Sequence, residues 1–142
     1  MATFNPAHRQ TYIPSQIQKY YQRIQLPAPL RNIAVPEIAD TADGLTFLTS
    51  LQQHQLAAVP FENLDLHYSA HHTITLDPQH LFYKIVERDA GRGGYCMENS
   101  CLFGTILRSL GFDVVSIGAK VNEAVQPVSA KNNWKGPKYD GW

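Results

Sequence analysis

Apolar residues recur at helical spacing over most of this chain. Ile17, Tyr20, Tyr21 and Ile24 fall on one stripe, which predicts a first helix capped by Ser15 and ended by Pro27 and Pro29. Residues 30–43 read as a connector. Leu45, Leu48, Leu51 and Gln55 mark a second helix over about 44–57, finished before Pro60. Phe61 to Leu66 is an irregular or extended passage, and Thr73-Ile74-Thr75-Leu76 has the β-branched content of a short strand. Asp77-Pro78 starts a third helix as N-cap and N1 proline, with Leu81, Phe82, Ile85 and Val86 on its buried face. The run from Asp89 to Gly94 stops it.

A fourth helix covers 97–110, with Asn99, Phe103, Ile106, Leu107 and Leu110 at helical spacing and Gly111 at its end. Beyond Phe112 the period drops to two. Val115, Ile117, Ala119 and Val121 alternate with Val114, Ser116, Gly118 and Lys120, as in a strand. Residues 127–141 are polar, rich in proline, glycine and lysine, and read as loop. A lone strand cannot satisfy its own ladder, so its partners are expected from another chain or from a longer version of this one. The expected organisation is an arm over 1–14, a helical domain over 15–111 and the start of a β domain over 112–142.

Composition narrows the function. With 142 residues, 44% of them hydrophobic and 17% charged, the chain can bury a core. Twelve Lys and Arg balance twelve Asp and Glu, so nothing in the charge favours nucleic acid or an anionic membrane. No stretch approaches the ~20 apolar residues of a membrane span, and the N-terminus lacks the apolar run of a signal peptide. Two cysteines make no disulfide framework, and Cys96 and Cys101 fall on different faces of one helix. A cytoplasmic location is expected.

The chemistry centres on Arg92-Gly93-Gly94-Tyr95-Cys96, a glycine-rich turn that delivers a cysteine to the first turn of a helix. The positive end of the helix favours thiolate, and its unpaired N–H groups suit a developing oxyanion. The alternative is that Cys96 is a small core residue, as most free cysteines are. Glu98 falls in the same first turn, where its charge complements the dipole but opposes a neighbouring thiolate. Arg92 and Glu62 lie in apolar, irregular passages. They either pair, pinning the glycine turn to the Pro60–Leu66 passage, or are both solvated. Arg92-Gly93-Gly94 is no P-loop, since no Lys-Ser/Thr follows. All six histidines (His8, His54, His67, His71, His72 and His80) precede Cys96, and nothing selects one as its base. His67, His71 and His72 form a loop cluster without a carboxylate or cysteine at metal-ligand spacing, so no metal is expected.

These blocks carry a resemblance. Tyr20-Tyr21-Gln22-Arg23-Ile24, Pro60-Phe61-Glu62-Asn63-Leu64, Arg92-Gly93-Gly94-Tyr95-Cys96 and the step from Leu107 to Val114 together resemble an arylamine N-acetyltransferase over about residues 15–121. The resemblance implies an α+β, cysteine-protease-like fold: a helical first domain, a β-barrel second domain and an α/β lid. It implies ping-pong transfer from acetyl-CoA through a Cys96 thioester to an arylamine, arylhydrazine or arylhydroxylamine. Phe61 would line the acceptor pocket, Arg92, Gly93, Gly94 and Glu62 would support the nucleophile, and Gly141 would lie near the coenzyme A site. The family's histidine and aspartate lie downstream of the cysteine, whereas no histidine follows His80 here. The resemblance therefore implies a chain cut inside its barrel domain, largely without barrel or lid, and inactive alone. The alternatives are a non-catalytic truncated isoform or vestigial binding protein, and a related cysteine acyltransferase that uses another acyl-CoA.

Overall fold

A computed structural model describes residues 9–88 and 91–118. The described residues are helical: α1 (Pro14–Arg23), α2 (Val35–Ile38), α3 (Ala42–Ala58), α4 (Leu64–Tyr68), α5 (Pro78–Phe82) and α6 (Cys96–Leu110). A 3-10 turn spans Ala28–Asn32, and a π turn, Tyr83–Arg88, continues α5.

The helix ends follow local chemistry. Ser15 does not cap α1. Pro14 takes the first helical position, its ring presetting φ, and the Ile13 N–H donates to Gln16 Oε1 at 3.1 Å. At the other end Gln25 adopts a left-handed φ of 54°, and the N–H groups of Gln25 and Leu26 return to the carbonyls of Gln22 and Tyr21. Thr41 caps α3 by accepting from the Gly44 N–H at 3.3 Å. The Asp77-Pro78 start is as predicted, with Asp77 Oδ1 accepting from the His80 N–H at 2.8 Å. Gly111 ends α6 at φ 99°, a conformation that costs glycine little.

The core gathers Tyr20, Ile24 and Leu26 from α1 and its exit, Phe47 and Leu51 from α3, Leu81, Phe82 and Ile85 from the α5 region, and Leu102 and Ile106 from α6. Tyr20 is buried with its hydroxyl donating to Gln55 Oε1 at 2.8 Å, so the polar tip is satisfied. Two predicted stripes are rotated. In α3 the buried face is Gly44, Phe47, Leu51 and Gln55, while Leu45 is exposed. Gly44 turns inward because it lies against α2: a Cβ there would stand 2.1 Å from the Ile38 carbonyl oxygen. In α6 the buried face is Glu98, Leu102, Thr105 and Ile106. Asn99, Phe103, Leu107 and Leu110 are only partly covered.

Neither predicted strand forms among the described residues. Thr73–Leu76 is irregular, residues 112–118 form no strand with any described residue, and Val115 and Ile117 are exposed. The rest of that predicted strand and loop lies outside the described residues. No described helix is long and apolar enough to cross a membrane.

Candidate active site

The site forms where Pro60–Glu62 runs beside the glycine turn. The Gly94 N–H donates to the Pro60 carbonyl at 3.3 Å and the Glu62 N–H to the Gly94 carbonyl at 3.0 Å. This is a single parallel bridge between Phe61 and Gly94. Asn99 reinforces it from α6, its Nδ2 donating to the Gly94 carbonyl at 2.9 Å and reaching the Pro60 carbonyl at 3.4 Å.

Arg92 and Glu62 are paired. Arg92 Nε donates to Glu62 Oε1 at 3.0 Å, and its Nη2 reaches Asp65 Oδ1 at 2.9 Å. Asp65 turns its other oxygen to Lys84 Nζ at 2.6 Å, and Lys84 also holds Glu98 Oε1 at 2.9 Å. Five charges thus form one network, from α4 and its approach, the π turn, the glycine turn and α6. Burial pushes the Asp65 carboxyl up, but hydrogen bonds and charge from Lys84 and Arg92 outweigh it and hold the group below the usual aspartate range. Burial likewise pulls Lys84 down, and its bonds to Asp65 and Glu98 more than reverse that. Hydrogen bonding to Asp65 raises Arg92 further.

Arg23 braces the same turn from α1. Its guanidinium donates to the carbonyls of Ile85 (3.0 Å), Ala58 (2.8 Å) and Arg92 (3.0 Å).

On this base Cys96 is the first residue of α6, and its side chain is exposed. Tyr95 precedes it in an extended conformation, and the Tyr95 N–H donates to Glu98 Oε2 at 2.9 Å. Glu98 is 1% exposed and so serves as a buried cap. Phe61, exposed, packs its ring 5.4 Å from that of Tyr95. Backbone N–H groups at the start of α6 point along the helix axis toward this end, where an anion is favoured.

Phe61, Glu62, Arg92, Gly93 and Gly94 are therefore brought together where the turn enters α6 at Cys96. Gly141 lies outside the described residues. Among the described residues the Cys96 thiol has no hydrogen bond to a histidine. His54 and His72 turn their Nδ1 atoms to the carbonyls of Ile24 and Leu66, and His67, His71 and His80 are exposed. Among those residues no group of three or more His, Cys, Asp or Glu side chains is arranged to hold a metal ion.

A family model described as N-acetyltransferase matches residues 44–133, which contain Phe61, Glu62, the glycine turn and Cys96. The chain belongs to the arylamine N-acetyltransferase family. It is an acyltransferase-family chain, and its relatives differ in the group they are named for. The N-malonyltransferase FDB2 of Fusarium pseudograminearum (strain CS3096) is 44% identical over 135 residues, 92% of this chain and 39% of the relative. That of Gibberella moniliformis is 39% identical over 140 residues, 94% of this chain and 40% of the relative. The arylamine N-acetyltransferase pineal gland isozyme NAT-10 of Gallus gallus is 38% identical over 105 residues, 74% and 31% of the two chains. The chain thus spans about two fifths of the length of its fungal relatives.

Asp65, Lys84, Arg23 and Asn99 also bond into this cluster, although motif reading passed over their roles. Lys84 carried a signal. It interrupts the apolar run Leu81, Phe82, Ile85 and Val86, and a lysine inside a buried stripe calls for a buried carboxylate partner.

Proposed function

We propose that Cys96 carries the acyl group in a ping-pong transfer from an acyl-CoA to an aromatic amine. The observation that carries this reading is the exposed thiol on the first residue of α6, braced by the Arg92–Glu62–Asp65 cluster within the family-matched segment. In the first half-reaction the sulfur attacks the thioester carbonyl of the acyl-CoA. The carbon–sulfur bond to coenzyme A breaks, and the coenzyme leaves as a thiolate that takes a proton. In the second, the amine nitrogen attacks the Cys96 thioester, giving an amide, releasing the Cys96 sulfur and losing a proton. The N-terminal amides of α6 are suited to the oxyanion of both tetrahedral intermediates. The exposed ring of Phe61 beside Tyr95 offers an aromatic acceptor a stacking surface. Arg92, Glu62, Gly93 and Gly94 support the turn rather than touch the reacting atoms.

Acetyl-CoA is the donor that the family assignment supports. Malonyl-CoA is favoured by a separate observation: the relatives that align with 92% and 94% of the chain are named N-malonyltransferases. The whole protein would complete the cysteine-protease-like fold and supply the base. The test is intact mass after incubation with excess acetyl-, propionyl- or malonyl-CoA. A single acyl adduct mapped to Cys96, absent from Cys96→Ser, is expected, and the preferred donor is the one that fills the site fastest. An adduct elsewhere, or none with any donor in the full-length protein, rejects the reading.

A further inference from the structure

Lys84 is the second residue of the π turn, a geometry common at functional sites. Its side chain is 7% exposed. An ammonium so covered is held by carboxylates: Asp65 Oδ2 at 2.6 Å, Glu98 Oε1 at 2.9 Å and, more distantly, Glu62 Oε1 at 4.0 Å. Glu98 is the more deeply buried partner and has two tasks. One oxygen meets Lys84, and the other accepts the N–H of Tyr95, the residue before Cys96. A single carboxylate therefore joins the π turn to the amide that enters the nucleophile helix.

We propose that Lys84 is a positioning residue which, through Glu98, fixes the first turn of α6 and with it the Cys96 thiol. This rests on reading Cys96 as the reacting thiol. Without the ammonium, Glu98 would be a buried carboxylate facing an apolar neighbour. It would move toward water or take up a proton, and either change weakens its hold on the Tyr95 N–H. The first turn then frays, and Cys96 loses the alignment that places it at the positive end of the helix.

The chain contains its own control. Cys101 lies on the same helix, partly buried, with its Sγ 3.3 Å from the Leu76 carbonyl oxygen. Alkylation by iodoacetamide, followed by peptide mass, reads both thiols in one sample. In Lys84→Met the Cys96 rate is expected to fall about three-fold, the scale of a lost helix-terminus interaction, while Cys101 keeps its wild-type rate. In the double variant Lys84→Met/Glu98→Gln no buried charge is stranded, and the amide oxygen still accepts from Tyr95. The Cys96 rate should then recover to within about two-fold of wild type, the signature of a coupled pair. A purely structural role would loosen the helix and speed both cysteines together. That result, an unchanged or faster Cys96 in Lys84→Met, or no recovery in the double variant, overturns the proposal. Should Lys84→Met fail to fold, the double variant decides by the same criterion. Alkylation needs no acyl-CoA, so an outcome against acyl transfer at Cys96 leaves this one readable.

Discussion

Gly93 lies so tightly beneath Pro60 that a Cβ added to it would stand 1.8 Å from the Pro60 carbonyl oxygen. No side chain fits that gap, and the neighbour is backbone that cannot swing aside. The glycine is needed for close approach, since its φ is not in the left-handed region. Gly93→Ala should force the Pro60–Glu62 segment away from the turn, breaking the hydrogen bonds on either side of Gly94. The expected loss is about 2–4 kcal/mol of stability in urea titration, the range of buried backbone strain. A variant as stable as the wild type would show that the two segments are less closely joined.

Arg92→Lys preserves the charge and tests the fork. Arg92 grips Glu62 Oε1 with both Nε and Nη2, and Nη2 also reaches Asp65; an ammonium lacks this planar two-nitrogen grip. The pair is partly open to water, so the expected loss is about 1–2 kcal/mol rather than that of a fully buried bridge. Equal urea midpoints for the two proteins would count against a fork.

Stability should fall at both ends of the pH scale. Asp65 titrates below its ordinary 3.8 in the fold, so the folded state binds that proton less tightly than the unfolded chain. Its contribution is present above pH 3.8 and is lost as the pH falls below it. Burial raises Tyr20, which is further raised by Tyr21, and raises Tyr21 to about 12, against an ordinary 10.0. Their contribution is present below pH 10 and lost as the pH rises past it. Lys84, raised above 10.5, adds to the same alkaline loss. Urea midpoints measured across pH should form a plateau that drops on both sides, with the buried phenols ionising together with the loss of helix. Phenol titration complete before unfolding would contradict the burial of Tyr20 and Tyr21.

A polypeptide of residues 1–142 should form arylamide at a negligible rate. No histidine follows His80, and no described histidine bonds the Cys96 thiol, so among the described residues neither proton transfer has a positioned histidine base. Steady-state assay with acetyl- or malonyl-CoA and an aromatic amine measures this directly. Robust turnover that disappears in Cys96→Ser would reveal a base elsewhere in the chain.

Motifs that act through neighbours in sequence were legible. Asp77-Pro78, Gly111 and the cysteine at a helix start each depend on a few adjacent residues, and each stands where predicted. The Arg92–Glu62 pair was readable as one of two options because both charges sit in apolar surroundings. What escaped depends on tertiary approach. The stripe of α3 turned because Gly44 meets α2, and Ser15 lost its capping place to Pro14 and Gln16. Thr73–Leu76 had the composition of a strand but no described partner to pair with. Lys84 showed only as a charge inside an apolar stripe and Glu98 only as a first-turn acid; that they meet each other and Asp65 appears once the π turn, α4 and α6 converge.

Arg23 gives the site a history as well as a geometry. Its guanidinium joins α1 to the Arg92 carbonyl across 69 positions of sequence. As the polypeptide is made, the first helix must leave the ribosome and stay available while everything up to the glycine turn is synthesised. The thiol's platform can close only then. A change in α1 that leaves Cys96 and its motif untouched would thus appear first as a defect in maturation, with less correctly folded protein per chain made.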